Sequence, residues 1–137
     1  MTPQEGHGMV WLLVGAGGAL GSIARHGLNR LVHQGHLESP FPLGIFLVNV
    51  SGSAAIGVLS GVIASGRMEL SLEARTFLIV GLLGGFTTFS SFSLDSLALI
   101  RGGHLGQAIW NVVGQVGLSL IAVWLGFAVG GKVGGMV

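Results

Sequence analysis

The sequence predicts an all-α membrane protein, a single domain of four transmembrane helices that spans residues 1–137. Two observations favour this class. Hydrophobic residues make up 50% of the chain and charged residues only 8%, whereas water-soluble domains carry about 25% charged residues. The few charges also leave long uncharged runs, and a helix needs roughly 20 apolar residues to cross a bilayer. These runs are residues 9–24, 41–66, 76–94 and 105–131.

Each uncharged run is expected to form one helix, with boundaries set by helix start and stop signals. The prolines and the glycine of "HQGHLESPFP" end the first helix. Ser71 stands where it can cap the start of the third helix. The expected helices cover about residues 9–31, 43–65, 72–100 and 105–129.

The third helix is expected to break near Gly84–Thr88. Two adjacent glycines and, after one phenylalanine, two adjacent threonines give this stretch a weak helix propensity. In a membrane, a broken helix persists only where its freed backbone groups line a cavity or bind protein or ions. The predicted break therefore marks a candidate functional site.

Small residues recur four positions apart in the predicted helices. The pairs are Gly17 with Gly21, Ser53 with Gly57, Gly57 with Gly61, Gly81 with Gly85, and Gly126 with Gly130. This spacing lets helix backbones approach each other closely in lipid. We expect tight packing, within one chain or between two copies.

Positive charges at the helix ends are balanced between the two sides of the membrane. With four helices, one side holds Arg67, Arg75 and Lys132, and the other holds Arg25, Arg30 and Arg101. An excess of Lys and Arg on one side normally sets the orientation, and this chain has no such excess. The sequence therefore predicts insertion in both orientations.

Asn49 is a polar amide near the middle of the predicted second helix. An amide at that depth is costly unless it has a partner, and two interpretations are open. The side chain forms an interhelical hydrogen bond, or its NH2 group donates to an anion in a permeation pathway.

The predicted fourth helix carries four polar residues at steps of four, which places them on one slowly turning face. Such a stripe either bonds to a partner helix or lines a wet path, and the hydroxyl groups of the third helix favour the path. The residues are Gln107, Asn111, Gln115 and Ser119.

The stretch "GGFTTFSSFSLD" combines aromatic rings with hydroxyl groups. Phe86, Phe89 and Phe92 recur at steps of three, and Thr and Ser fill the gaps. Because an aromatic ring has a positive edge, ring edges together with hydroxyl and amide donors describe a dry, weakly electropositive site for a small anion. A cation pathway would require carboxylates or a carbonyl filter, and no Asp or Glu lies within the four uncharged runs.

Other classes of function are disfavoured. The glycines of "LVGAGGALGSIAR" are similar to a dinucleotide-binding fingerprint, which requires a βαβ unit in a larger α/β domain. The chain has no cysteine for a disulfide or a thiolate metal site and no basic patch for nucleic acid. Arg25 and Asp95 lie at or inside helix ends, where pairing or snorkelling is the expected role, and Arg25 is also placed to draw anions into a vestibule.

Three separated motifs resemble the Fluc/CrcB family of bacterial fluoride channels. They are "GGALGSIAR", "GIFLVNVSG" and "GGFTTFSSFS", and the similarity in hydropathy covers essentially the whole chain. The resemblance implies an antiparallel, dual-topology homodimer with two fluoride pores at its interface. The chain departs from the family pattern at Ile45, where some members have threonine, and at Asp95, where relatives often have glutamate.

The resemblance also implies roles for individual pore residues. Asn49 matches the family's pore asparagine. The ring edges of Phe89 and Phe92 face fluoride, and Ser90 and Ser91 between them form a polar track along the pore.

A structural sodium ion at the dimer centre is the one cofactor that the resemblance implies. The backbone carbonyls at the predicted break, those of Gly84 and Thr87, are its expected ligands. Arg25 matches the family's arginine in the first helix. On the fourth helix, Ser119 and then Gln115 are the expected pore residues.

The expected function is passive export of fluoride through the bacterial inner membrane, which relieves fluoride toxicity without enzymatic chemistry. The expected partners are fluoride, lipid and a second copy of the chain. One alternative is a small dimeric proton-coupled or drug transporter, which needs an intramembrane carboxylate, and Asp95 near a helix end is the one residue available. The other alternative is a non-conducting membrane assembly subunit whose polar groups only join helices.

Overall fold

The computed structural model describes residues 3–35, 39–66 and 68–133, and every regular element in these ranges is helical. The elements, in chain order, are α1 (Pro3–Gly35), α2 (Leu43–Ala64), α3 (Leu72–Arg75), a π-helical segment (Thr76–Leu83), α4 (Gly84–Phe86), α5 (Phe89–Arg101) and α6 (Leu105–Val133).

Four stretches of the described residues are long and apolar enough to cross a membrane. They are Gly8–Gln34, Leu43–Ala64, Leu72–Arg101 and Leu105–Lys132. This result confirms the predicted all-helical protein with four membrane-spanning helices. Helices α1 and α6 both extend beyond the predicted ranges of 9–31 and 105–129. Large side chains such as Trp11, Leu12 and Trp124 lie exposed on the outside of the bundle, as lipid contact requires.

Capping residues mark the start of α3 and the ends of α2 and α5. The Ser71 side chain accepts a hydrogen bond of 3.2 Å from the backbone N–H of Ala74, which confirms the predicted cap of α3. Gly66 and Gly103 follow the ends of α2 and α5 with φ values of +74° and +80°, a backbone conformation that favours glycine. Arg67, counted above among the charges, lies outside the described residues.

Glycines hold α1 against the third span with almost no space between the backbones. A Cβ atom added at Gly17 would lie 2.9 Å from the Cα atom of Gly81. One added at Gly85 would lie 2.8 Å from the Cα atom of Gly18. Because real Cβ atoms do not approach backbone so closely, only glycine fits at these positions.

A second glycine contact joins α2 to α6. A Cβ atom at Gly57 would lie 3.0 Å from the backbone nitrogen of Phe127, and one at Gly61 would lie 2.8 Å from that of Gly131. From the other side, a Cβ atom at Gly126 would lie 3.0 Å from the nitrogen of Val58. The predicted packing role of these small residues is thus confirmed within one chain, and the contact fixes the register of α2 against α6.

The third span changes conformation between α4 and α5. Thr87 (φ −81°, ψ 156°) and Thr88 (φ −154°, ψ 118°) have extended backbones. The backbone N–H and the hydroxyl of Thr87 both donate to the carbonyl of Leu83 at 3.0 Å. The Thr88 hydroxyl accepts from the N–H of Ser91 at 3.2 Å and so caps the start of α5.

Gly126→Ala tests the contact between α2 and α6. We expect it to lower the free energy of unfolding in mixed detergent micelles by about 1–3 kcal/mol, because the new methyl group overpacks a backbone contact. Gly117→Ala on the same helix is the control, since a Cβ atom there meets nothing within 4 Å. Equal stability of the two variants would contradict the packing role of Gly126.

Candidate functional site

The amide of Asn49 pairs with both backbone groups of Thr88. The Thr88 N–H donates to Asn49 Oδ1 at 2.8 Å, and Asn49 Nδ2 donates to the Thr88 carbonyl at 3.0 Å. An extended residue between two helices leaves its N–H and C=O without helical partners, and in lipid no water replaces them. Asn49 on α2 supplies both partners from outside the third span.

The same bonds leave two carbonyls of the third span without their usual donors. In a continuous α-helix the N–H of Thr88 would bond to the carbonyl of Gly84, and the N–H of Ser91 to that of Thr87. Here the Thr88 N–H bonds to Asn49 and the Ser91 N–H bonds to the Thr88 hydroxyl. The Gly84 and Thr87 carbonyls are therefore available as oxygen ligands.

A chain of buried side-chain hydrogen bonds continues from Asn49 through α6 to α5. Asn49 Nδ2 also donates to Gln115 Oε1, and Gln115 Nε2 donates to Asn111 Oδ1 at 3.1 Å. Asn111 Nδ2 donates to Ser96 Oγ at 2.9 Å, and the Ser96 hydroxyl donates to the backbone carbonyl of Phe92 at 2.8 Å. Asn111 is 0% exposed and Gln115 is 4% exposed, so these hydrogen bonds lie inside the helix bundle.

A cavity of about 530 Å³ opens beside this chain of bonds. No ionisable side chain lines it among the described residues, so its polarity comes from amides, hydroxyls and backbone. Its walls include most of the site residues expected from the sequence, and these are Asn49, Gly84, Thr87, Phe89, Phe92, Gln115 and Ser119.

Two aromatic rings form one wall of the cavity. The ring centroids of Phe89 and Phe92 lie 5.2 Å apart at an interplanar angle of 51°. Phe92 is 7% exposed, whereas Phe89 is 76% exposed. The rings are tilted and not stacked, and the edge of an aromatic ring carries the positive end of its quadrupole.

The two serines expected on a pore track lie outside the cavity lining. The hydroxyls of Ser90 and Ser91 lie 3.1 Å and 3.2 Å from the Thr88 hydroxyl, where they form a small cluster at the start of α5. Arg25 also lies outside the lining. Its guanidinium donates to the Ser22 hydroxyl at 3.4 Å, and that hydroxyl donates to the carbonyl of Gly85 at 3.4 Å.

The polar stripe of α6 takes part in both a cavity wall and interhelical bonds. Gln115 and Ser119 line the cavity, and Gln115 also bonds to Asn49 on α2. Asn111 bonds to Ser96 on α5, and Gln107 has a buried Oε1 atom without a hydrogen-bond partner. Asp95 does not line the cavity, and its Oδ2 atom is buried without a hydrogen-bond partner.

Thr88 and Ser96 are the residues of this network that the sequence reasoning missed. Thr88 follows Thr87 and precedes Phe89, so its position one residue before a new helix start was the available signal. Ser96 stands four residues after Phe92, the spacing at which a helical serine bonds back to a carbonyl. Nothing in the sequence links Ser96 to Asn111 on another helix.

Residues 12–127 match the protein family described as CrcB-like protein, Camphor Resistance (CrcB). A fluoride-specific ion channel FluC of Opitutus terrae is 50% identical over 118 residues, which cover 85% of this chain and 89% of the relative. One from Thermus thermophilus is 48% identical over 125 residues, covering 91% and 98%. One from Rhizobium meliloti is 50% identical over 119 residues, covering 85% and 92%.

Asn49→Leu tests the pairing of Asn49 with Thr88. We expect the free energy of unfolding to fall by about 1–3 kcal/mol, the cost of leaving buried polar groups unpaired. Hydrogen exchange at the Thr88 amide should also become faster. The control is Ser53→Ala, one turn later on the same cavity wall, because the Ser53 hydroxyl bonds only to its own helix at the carbonyl of Asn49. Unchanged exchange at Thr88 would refute the pairing.

Proposed function

This chain belongs to the CrcB-like family, and we propose from this premise that it is a fluoride-specific ion channel. The cavity carries the proposal. It is lined by amides, hydroxyls and two aromatic rings, whose edges are electropositive, with no ionisable side chain in its described lining. Weak donors of this kind replace part of the hydration shell of an anion without holding it too tightly to leave. Conduction makes and breaks no covalent bond, so the protein is not an enzyme.

The direction of transport follows from the chemistry of hydrogen fluoride. HF crosses a membrane uncharged and dissociates inside the cell, and the membrane potential then drives the anion outward through a passive channel. We propose that the chain resides in the bacterial inner membrane and relieves fluoride toxicity there.

We further propose that the functional unit is an antiparallel dual-topology homodimer with two fluoride pores. Phe89, 76% exposed in one chain, stands on the open side of the cavity, where a second copy would cover it. The balance of positive charges across the membrane supports insertion in both orientations. On this proposal each cavity becomes a closed pore only in the dimer, with Ser90 and Ser91 on a polar track along it and Arg25 in a vestibule.

A sodium ion at the dimer centre fits the backbone at the extended residues, which on this proposal form a functional helix break. The Gly84 and Thr87 carbonyls lack their usual helical donors, and both residues line the cavity. Unwound carbonyls of this kind coordinate Na⁺ in membrane proteins, and a second copy would double the number of ligands. The ion would hold the two breaks together.

Fluoride efflux from protein-loaded liposomes tests the channel. A fluoride electrode is expected to record potential-driven fluoride efflux. A chloride electrode is expected to record chloride efflux near that of empty vesicles. Absence of fluoride efflux, or equal chloride efflux, would refute the proposal and favour the non-conducting assembly subunit or a different transporter. Efflux that required a proton gradient would favour a proton-coupled transporter.

Phe92→Ile tests whether the rings recognise the anion. We expect efflux to fall roughly tenfold, which corresponds to about 1.4 kcal/mol at the barrier, while the dimer remains intact on size exclusion. The matched control is Phe127→Ile on α6, because Phe127 carries the same ring outside the cavity lining. Unchanged flux in Phe92→Ile and in Phe89→Ile would mean that the rings only pack.

Cysteine accessibility tests dual topology, and the absence of native cysteine makes the measurement direct. Ser39→Cys and Met68→Cys place single thiols in the connections on opposite sides of the bundle. In intact cells an impermeant maleimide is expected to label about half of each variant, since both orientations expose one side outward. Full labelling of one variant with none of the other would refute dual topology.

A further inference from the structure

The buried hydrogen bonds between α2, α6 and α5 have a fixed direction. The network begins at the Thr88 backbone N–H, which can only donate, and ends at the Phe92 backbone carbonyl, which can only accept. Between these ends lie three amides and one hydroxyl, those of Asn49, Gln115, Asn111 and Ser96.

Each amide in this network can satisfy its neighbours in one orientation only. The Ser96 hydroxyl gives its hydrogen to the Phe92 carbonyl, so it must accept from Asn111. Asn111 must then turn its oxygen toward Gln115. At the other end of the network, Asn49 turns its oxygen to the Thr88 N–H and its NH2 group to Gln115. Both ends therefore require the same orientation of the Gln115 amide, which assigns its oxygen and nitrogen atoms.

This orientation determines which amide has a hydrogen left for an anion. An amide NH2 group carries two donors. Both donors of Asn49 are used, one by the Thr88 carbonyl and one by Gln115 Oε1. Gln115 Nε2 gives one hydrogen to Asn111 and keeps the other, and Gln115 lines the cavity.

We propose that Asn111 and Ser96 are positioning residues of the ion pathway, which orient the Gln115 amide so that its second N–H, and not an N–H of Asn49, is offered to the anion. This inference rests on the proposed channel function. Asn111 is fully buried, Ser96 is 8% exposed, and neither lines the cavity. Any influence they have on the anion is transmitted through Gln115.

A double-mutant cycle on fluoride efflux tests this transmission. Gln115→Met removes the amide at similar length, and Asn111→Leu removes the group that orients it. Each single change is expected to lower efflux by roughly tenfold, the order of one lost charge-assisted hydrogen bond. In the Gln115→Met background, Asn111→Leu should lower efflux no further, because the amide that it orients is already gone.

Stability provides the readout that separates positioning from packing. Asn111→Leu removes the bond to Ser96 in either background, so it should destabilise the protein with and without Gln115→Met. Gln107→Leu, one turn earlier on α6 and outside the network, is the control and should change efflux by less than about twofold. If Asn111→Leu does not assemble, Ser96→Ala takes its place, with a smaller loss of efflux that also disappears in the Gln115→Met background.

The outcomes distinguish this inference from the channel proposal. Wild-type protein without fluoride efflux would refute the channel itself. Wild-type efflux with independent, multiplying effects of the two substitutions would leave the channel intact and overturn the positioning role. Full efflux in Gln115→Met would overturn the role of Gln115 as the anion donor.

Discussion

The pairing of one asparagine with one backbone residue is the interaction on which the rest of the structure depends. Thr88 is extended inside a membrane span, and in lipid its N–H and C=O must find partners within the protein. Asn49 provides both at 2.8 Å and 3.0 Å. A hydroxyl carries only one hydrogen, so it could not donate to both the Thr88 carbonyl and Gln115 as Asn49 does.

That pairing in turn depends on glycine. Asn49 reaches Thr88 and Gln115 together only because α2 lies against α6 at backbone contact, through Gly57, Gly61 and Gly126. In lipid the helices gain little from hiding apolar surface, so close backbone packing has to supply the attraction. A side chain at these positions would collide with the backbone of the facing helix and push α2 and α6 apart. The amide network therefore depends on the glycine contacts, because close packing of α2 on α6 brings the amides within hydrogen-bond distance.

Sequence reasoning predicted the four spans well because lipid imposes simple rules on length and charge. It also selected Asn49 and Gln115, since an amide is conspicuous in an apolar run. It could not identify their partners, because those depend on the register between helices distant in sequence, as Asn111 and Ser96 illustrate. The hydroxyls of Ser90 and Ser91 cluster around that of Thr88, a contact that the sequence did not predict, and their role on a pore track stays a prediction. The π-helical geometry of Thr76–Leu83 has no signature in residue type and was not predicted.

Both hydrogens of the Asn49 amide are bonded within the protein. This explains why the proposed pathway needs several kinds of weak donor. On the proposed function the anion would be bound by Gln115, by hydroxyls such as that of Ser119, and by ring edges. Each of these is weaker than a buried arginine or lysine, and in a conducting pathway this is an advantage. A full positive charge in a low-dielectric site would bind a small anion strongly, and an ion that binds too tightly does not leave. Arg25 lies outside the cavity lining, and on the proposed function its charge would raise the local concentration of anions without trapping them.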